Sequence, residues 1–101
     1  MLSPYKGAAL ETYEKMKGDL RSYQPNKLYK NYGKYFYINT KGFLHVYFIK
    51  PVKYKEHKLY YIADLMLTKS NELKETSTSQ YFNTPEAAAE FFNIYYVAYM
   101  V

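Results

Sequence analysis

Few side chains in this sequence are equipped for catalysis. It holds two histidines, His45 and His57, twelve positions apart, and no cysteine. A hydrolytic or metal site needs several His, Cys, Asp or Glu side chains brought together. The acids best placed to join the histidines are Glu56 and Asp64. His45 and Asp64 can share one face if their segments are neighbouring strands, and such a pair is most simply a hydrogen bond on a sheet. No Ser-His-Asp pattern, HExxH motif or Gly-rich phosphate loop occurs, and four glycines in 101 residues build no phosphate cradle. The expectation is a non-enzymatic protein with no catalytic residue, no metal ligands, no cofactor and no small-molecule substrate.

A different chemistry is well supplied. The chain has 15 tyrosines and a formal charge of +5. A phenol offers a flat apolar face with a polar tip, which suits stacking on an unpaired base or filling a protein interface. An ammonium attracts phosphate. The charge is uneven. Residues 27–58 carry eight lysines against one acid, Glu56, whereas residues 59–101 carry two lysines against five acids. The basic half would draw an anionic partner. Tyr and Lys both have AT-rich codons, so a low-GC genome would enrich them without any functional cause. Codon bias does not explain why tyrosines would collect on one face.

The element that must position them is a hairpin over residues 34–50, folded at Asn39-Thr40-Lys41-Gly42. Both arms are rich in aromatic and β-branched residues, which favour a pleated, half-buried surface. A two-residue Lys41-Gly42 loop would pair Thr40 with Phe43 and mix both faces. A type I turn starting at Asn39, with Gly42 in the left-handed position of a bulge, pairs Asn39 with Phe43 instead. That register puts Phe36, Ile38, Leu44, Val46 and Phe48 on an apolar core face. It puts Tyr35, Tyr37, Asn39, Phe43, His45 and Tyr47 on the other. Turn chemistry and segregation agree on the second register.

The flanks read as follows. Ser3-Pro4 starts a first helix over about 4–22, with an apolar stripe of Tyr5, Ala9, Tyr13, Met16, Leu20 and Tyr23. Pro25 stops it, and residues 24–33 are a basic connection. Pro51 breaks the ladder, 52–58 form a charged loop, and a third strand runs from Lys58 to Thr68. Its odd positions suit the core, and Tyr60, Ile62, Asp64 and Met66 suit the Tyr-rich face. Residues 69–80 read as a loop, with a short fourth strand compatible with 77–82. Thr84-Pro85-Glu86 starts a second helix that runs to the last residue. It is apolar around much of its circumference, so it packs on the sheet and on something more, either the first helix or a second copy through Phe92, Tyr95 and Tyr99. The fold class is α+β: one domain over 1–101, of order α-β-β-β-α, with an antiparallel three- or four-stranded sheet and both helices on its apolar face.

The expected working surface is the Tyr-rich, Lys-fringed sheet face. Tyr35, Tyr37, His45, Tyr47 and Tyr60 form the platform, and Lys34, Lys41, Lys50, Lys53 and Lys55 form the fringe. Protein–protein interaction is the first expectation, with homodimers included, and single-stranded RNA or DNA binding is the alternative. The same face packed under loops 24–33 and 69–80 is the blandest arrangement. Residues 82–88, Phe-Asn-Thr-Pro-Glu-Ala-Ala, resemble the segment entering the helix of AP2-type DNA-binding domains, over seven residues that helix-capping chemistry produces by itself. No stretch reaches the roughly 20 apolar residues of a membrane span, and no signal peptide is read, so an intracellular, cytoplasmic protein is expected. Size and bias suit an accessory protein of a virus or mobile element.

Overall fold

The turn at Asn39 closes as its chemistry requires. In the computed structural model, which describes residues 4–31, 34–67, 73–77 and 80–97, Gly42 has φ +86, a left-handed conformation open to glycine without steric cost. Gly42 N–H donates to the Asn39 carbonyl at 2.9 Å, and Asn39 N–H donates to the Phe43 carbonyl at 3.0 Å. The strands on each side, β2 (Lys34–Ile38) and β3 (Leu44–Tyr54), pair Ile38 with Leu44, Phe36 with Val46 and Tyr35 with Tyr47. Phe36, Ile38, Leu44 and Val46 are buried together on one face.

The sheet has five antiparallel strands, not three or four, in the order β1-β2-β3-β4-β5. The first is β1 (Tyr29–Asn31), inside the segment read as a connection, and it pairs Tyr29 with Phe36. β4 (His57–Leu67) pairs with β3 along its whole length, from Leu44↔Leu67 to Tyr54↔His57. β5 (Leu73–Ser77) lies inside the stretch read as a loop and pairs Leu73 with Leu67. Residues near 82 add a single bridge, Tyr60↔Phe82. The missed edge strands are short, and Lys30, Lys74 and Glu75 on them are exposed. Charge on an edge strand guards against unwanted pairing, and it also hides the strand from hydrophobic pattern.

The helices lie on opposite faces, which corrects the expected two-layer arrangement. α1 (Pro4–Met16) covers the apolar face, with Ala9 and Met16 packed among Phe36, Leu44, Val46 and Leu65. It ends at Met16 rather than near 22, and the chain turns through Lys17–Asp19 into a 3-10 turn at Leu20–Ser22. Gly18 is in that turn, where a weak helix former ends the run. α2 (Pro85–Phe92) covers the Tyr-rich face instead. Thr84 caps it, its Oγ accepting from Ala87 N–H at 3.1 Å. Phe92 is 5% exposed and packs with Leu28, Ile62, Tyr35 and Tyr47, a burial that stabilises by about 1.5–3 kcal/mol. The chain continues as a π-helical turn, Asn93–Val97. With α1 already filling the apolar side, the aromatic stripe of α2 buries its area on the aromatic side. No helix among the described residues is long and apolar enough to cross a membrane.

Candidate functional site

The Tyr-rich face carries a hydrogen-bonded network built outward from the Asn39 turn. Asn39 Oδ1 accepts from Lys41 N–H at 2.9 Å and from Phe43 N–H at 3.0 Å. Those two donors fix the amide, so its Nδ2 must point at His45, where it lies 3.0 Å from Nε2. His45 Nε2 is therefore the acceptor, and Nδ1–H donates to Asp64 Oδ1 at 2.8 Å. The Tyr37 hydroxyl donates to Asp64 Oδ2 through a long 3.5 Å contact, and its ring stacks on the imidazole at 4.2 Å between centroids. The His45 and Asp64 side chains are only 12% and 18% exposed.

This pair resembles the base and orienting acid of a hydrolase, but the imidazole nitrogen that would take a proton is occupied by Asn39. A general base needs that nitrogen within reach of a substrate. The geometry fastens β2, β3 and β4 at one point. Burial, and then the Asp64 charge, push the Tyr37 phenol up to about 12. The same causes push Tyr47 and Tyr96 upward. Among the described residues no three His, Cys, Asp or Glu side chains gather as metal ligands.

The predicted platform is largely roofed. Tyr35 lies 5.0 Å from Phe92, and Tyr47 lies 5.1 Å from Phe92 and 5.3 Å from Tyr96. Phe92 itself is turned to its own sheet rather than outward for self-association, whereas Tyr95 is 53% exposed. Tyr99 falls outside the described residues. The fringe splits as well. Lys50 is at an even β3 position and therefore shares the α1 side, where its Nζ meets Glu75 Oε1 at 2.7 Å and sits 5.1 Å from the Tyr5 ring centroid. Burial lowers the Lys50 pKa, but the Glu75 hydrogen bond and charge outweigh it and leave the group above its ordinary value. Lys34 is half-buried beside Ala8 and Thr12 of α1. Lys41 is exposed at the turn.

What remains open is a ribbon. β2 pairs with β3 only as far as Tyr47, and β5 pairs with β4 only from Ala63 onward. The far ends of β3 and β4 therefore pair mainly with each other, with exposed residues at Lys53–Lys58. Lys53, Lys55, Tyr60 and the unanticipated Lys58 come together here. Tyr60 N–H and C=O both bond to Phe82, each at 2.8 Å, so Tyr60 and its partner Pro51 form a non-hydrogen-bonded pair. Alternation along the ladder makes Lys53↔Lys58 another such pair, the kind in which opposed side chains come closest. Like charges directly opposite are destabilising. Among the described residues no carboxylate pairs with Lys53, Lys55 or Lys58. Lys55 and Lys58 instead stand over tyrosine rings, 5.5 Å from Tyr54 and 5.8 Å from Tyr60.

Two signals hid the ribbon in the sequence. Pro51 suggests the end of a strand, yet its missing N–H faces the open side of β3, where no ladder bond is lost. The tight turn at Lys55-Glu56 lacks the Asn or Gly that announces one, and Lys55 takes φ +55.

The fold and this surface define a small α+β domain with a sheet covered on both faces and a basic, tyrosine-bearing ribbon. Comparison with protein-family models, with curated proteins and with solved structures finds no match.

Proposed function

We propose that this protein is a non-enzymatic nucleic-acid-binding module that contacts the phosphate backbone through its ribbon. The supporting observation is the pairing of Lys53 with Lys58 in a close cross-strand position, with no ion pair to a carboxylate among the described residues although Glu56 borders the same hollow. Such an arrangement costs stability in the free protein and is relieved by an anion that bridges both ammoniums. Lys55 adds a third charge at the tip, and the exposed Tyr54 supplies a ring beside it. The test is fluorescence anisotropy with labelled oligonucleotides over a salt series. Affinity falls steeply with salt, and the Lys53→Ala/Lys58→Ala variant reduces the log–log slope by about 1.4–1.8, the share of two phosphate contacts. Absence of binding to any oligonucleotide at low salt overturns the proposal.

Protein–protein interaction is the second reading, favoured by the outer side of the chain after α2. Ile94 and Tyr95 are 51% and 53% exposed, and Tyr95 lies 4.5 Å from Phe91. A second copy of the chain is the simplest partner. Light scattering tests it: a concentration-dependent dimer that Tyr95→Ser dissociates supports this reading, and a strict monomer at high concentration removes it.

A further inference from the structure

The other face of the ribbon is not cationic but apolar. Val52 and Leu59, directly paired across the strands, form the floor of a groove of about 300 Å³. Tyr54 and Tyr81 line it, with Lys53 at its border. These two rings are among the most exposed large apolar side chains described, at 60% and 54%. Lys53 also borders the hollow on the opposite side, which it shares with Pro51, Glu56 and Lys58.

The groove is held open by backbone rather than by chance side-chain placement. Tyr81 precedes Phe82, whose N–H and C=O are both fastened to Tyr60. The Tyr81 ring also leans on Tyr61, 6.0 Å away between centroids. Tyr54 closes the turn, opposite His57, with the Lys55 ammonium over its ring. Two tyrosines kept in water around an aliphatic floor suit a flat aromatic ligand, because every base presents a π-face and stacking is indifferent to its identity. Lys53 lines this groove as well as the hollow it shares with Lys58, so a ligand that carries an anion beside its ring is favoured. A nucleobase joined to its own phosphate has both features. In a duplex, base faces are stacked on one another and cannot enter such a groove. Unpaired bases can.

We infer that the Tyr54–Tyr81 groove receives one unpaired base of a single-stranded nucleic acid, while the adjoining phosphates pass over Lys53 to Lys58. This rests on the nucleic-acid reading and narrows it to single strands. It also moves the stacking site from the roofed tyrosines of the sheet to the ribbon.

The experiment compares single-stranded RNA, single-stranded DNA and a blunt DNA duplex of equal length, with wild-type protein and with Tyr54→Ala, Tyr81→Ala and Tyr54→Phe. Single strands bind more tightly than the duplex. Each alanine variant weakens single-strand binding by about 5- to 150-fold and keeps the wild-type thermal midpoint, and Tyr81→Ala leaves duplex binding and the salt slope unchanged. Tyr54→Phe retains binding, because the ring stacks without its hydroxyl. Equal affinity for the duplex, or alanine variants that bind single strands like wild type, overturns this inference and leaves the phosphate-binding reading standing. Failure of every oligonucleotide to bind overturns both. A preference between RNA and DNA strands identifies which source of unpaired base the groove takes, and either preference supports it.

Discussion

Replacement of Asn39 by alanine removes the side chain that ties the turn to the buried network, and its cost can be worked from the contacts. Four hydrogen-bond contacts are lost, of which the 3.9 Å contact from Nδ2 to the weakly accepting Met66 thioether adds little. The Lys41 N–H is at an exposed position and water replaces its partner, so that loss is close to nothing. The Phe43 N–H is partly buried, and its bond contributes about 1 kcal/mol. His45 Nε2 is left without its donor beneath a stacked Tyr37 ring, at about 1–3 kcal/mol for an unsatisfied group. The sum is about 3 kcal/mol, a large share of the roughly 5–15 kcal/mol of a domain this size. It lowers Tm by roughly 12–24 °C. Urea unfolding of Asn39→Ala beside Thr40→Ala measures it, since Thr40 is exposed in the same turn and changes stability by no more than about 0.5 kcal/mol. Nitrogen NMR of the wild-type imidazole checks the geometry independently, by a proton on Nδ1. If Asn39→Ala unfolds within 0.5 kcal/mol of wild type, the side chain holds neither the turn nor the imidazole, and the account of this network is wrong.

Three further outcomes follow from the same packing. The Tyr37, Tyr47 and Tyr96 phenols are all raised above the value they have in the unfolded chain, near 10. The folded state therefore holds more protons above that pH. Their contribution is fully present below pH 10 and is lost as pH rises above it, for Tyr37 towards about 12, so an alkaline titration followed at 295 nm shows a delayed phenolate fraction that appears together with unfolding. Phe92→Ala uncovers Tyr35 and Tyr47 and costs about 3–5 kcal/mol, read from denaturant unfolding and a loss of tyrosine near-UV dichroism. Pro51→Thr restores an N–H to the open side of β3 and makes concentrated protein more prone to aggregate, as measured by light scattering at constant thermal midpoint.

Much of the sheet was legible because the turn specified the register. Asn39 and Gly42 chose the pairing, and strict alternation then assigned Phe36, Val46, Leu65 and Ile62 to their faces. The same alternation assigns Lys50 to the α1 side, so its meeting with Glu75 is implied by parity even though its charge suggests a solvent position. The location of α2 was not legible. Tyrosine is amphipathic, and a row of phenols reads equally as a surface or as a half-buried layer until something covers it. Here Phe92 does, while Asp64 satisfies one hydroxyl from within. The ribbon was obscured for the opposite reason. Lys53 and Lys58 belong to segments whose charge suggests a loop, and their opposition exists only once the strands are drawn through Pro51 to Tyr54.

Helices on both faces make the body of the sheet intolerant of a frame error. Sliding β3 by one position would present phenols to Met16 and aliphatic groups to Phe92 at once, so the error is penalised on both sides. The tip obeys a looser rule. Residues added or removed two by two near Lys55, one on each strand, would leave every pair below Phe48 in step. The reach of the arm can thus be adjusted by design while the sandwich behind it stays unaltered, which makes this tip the natural place to graft or extend a recognition sequence.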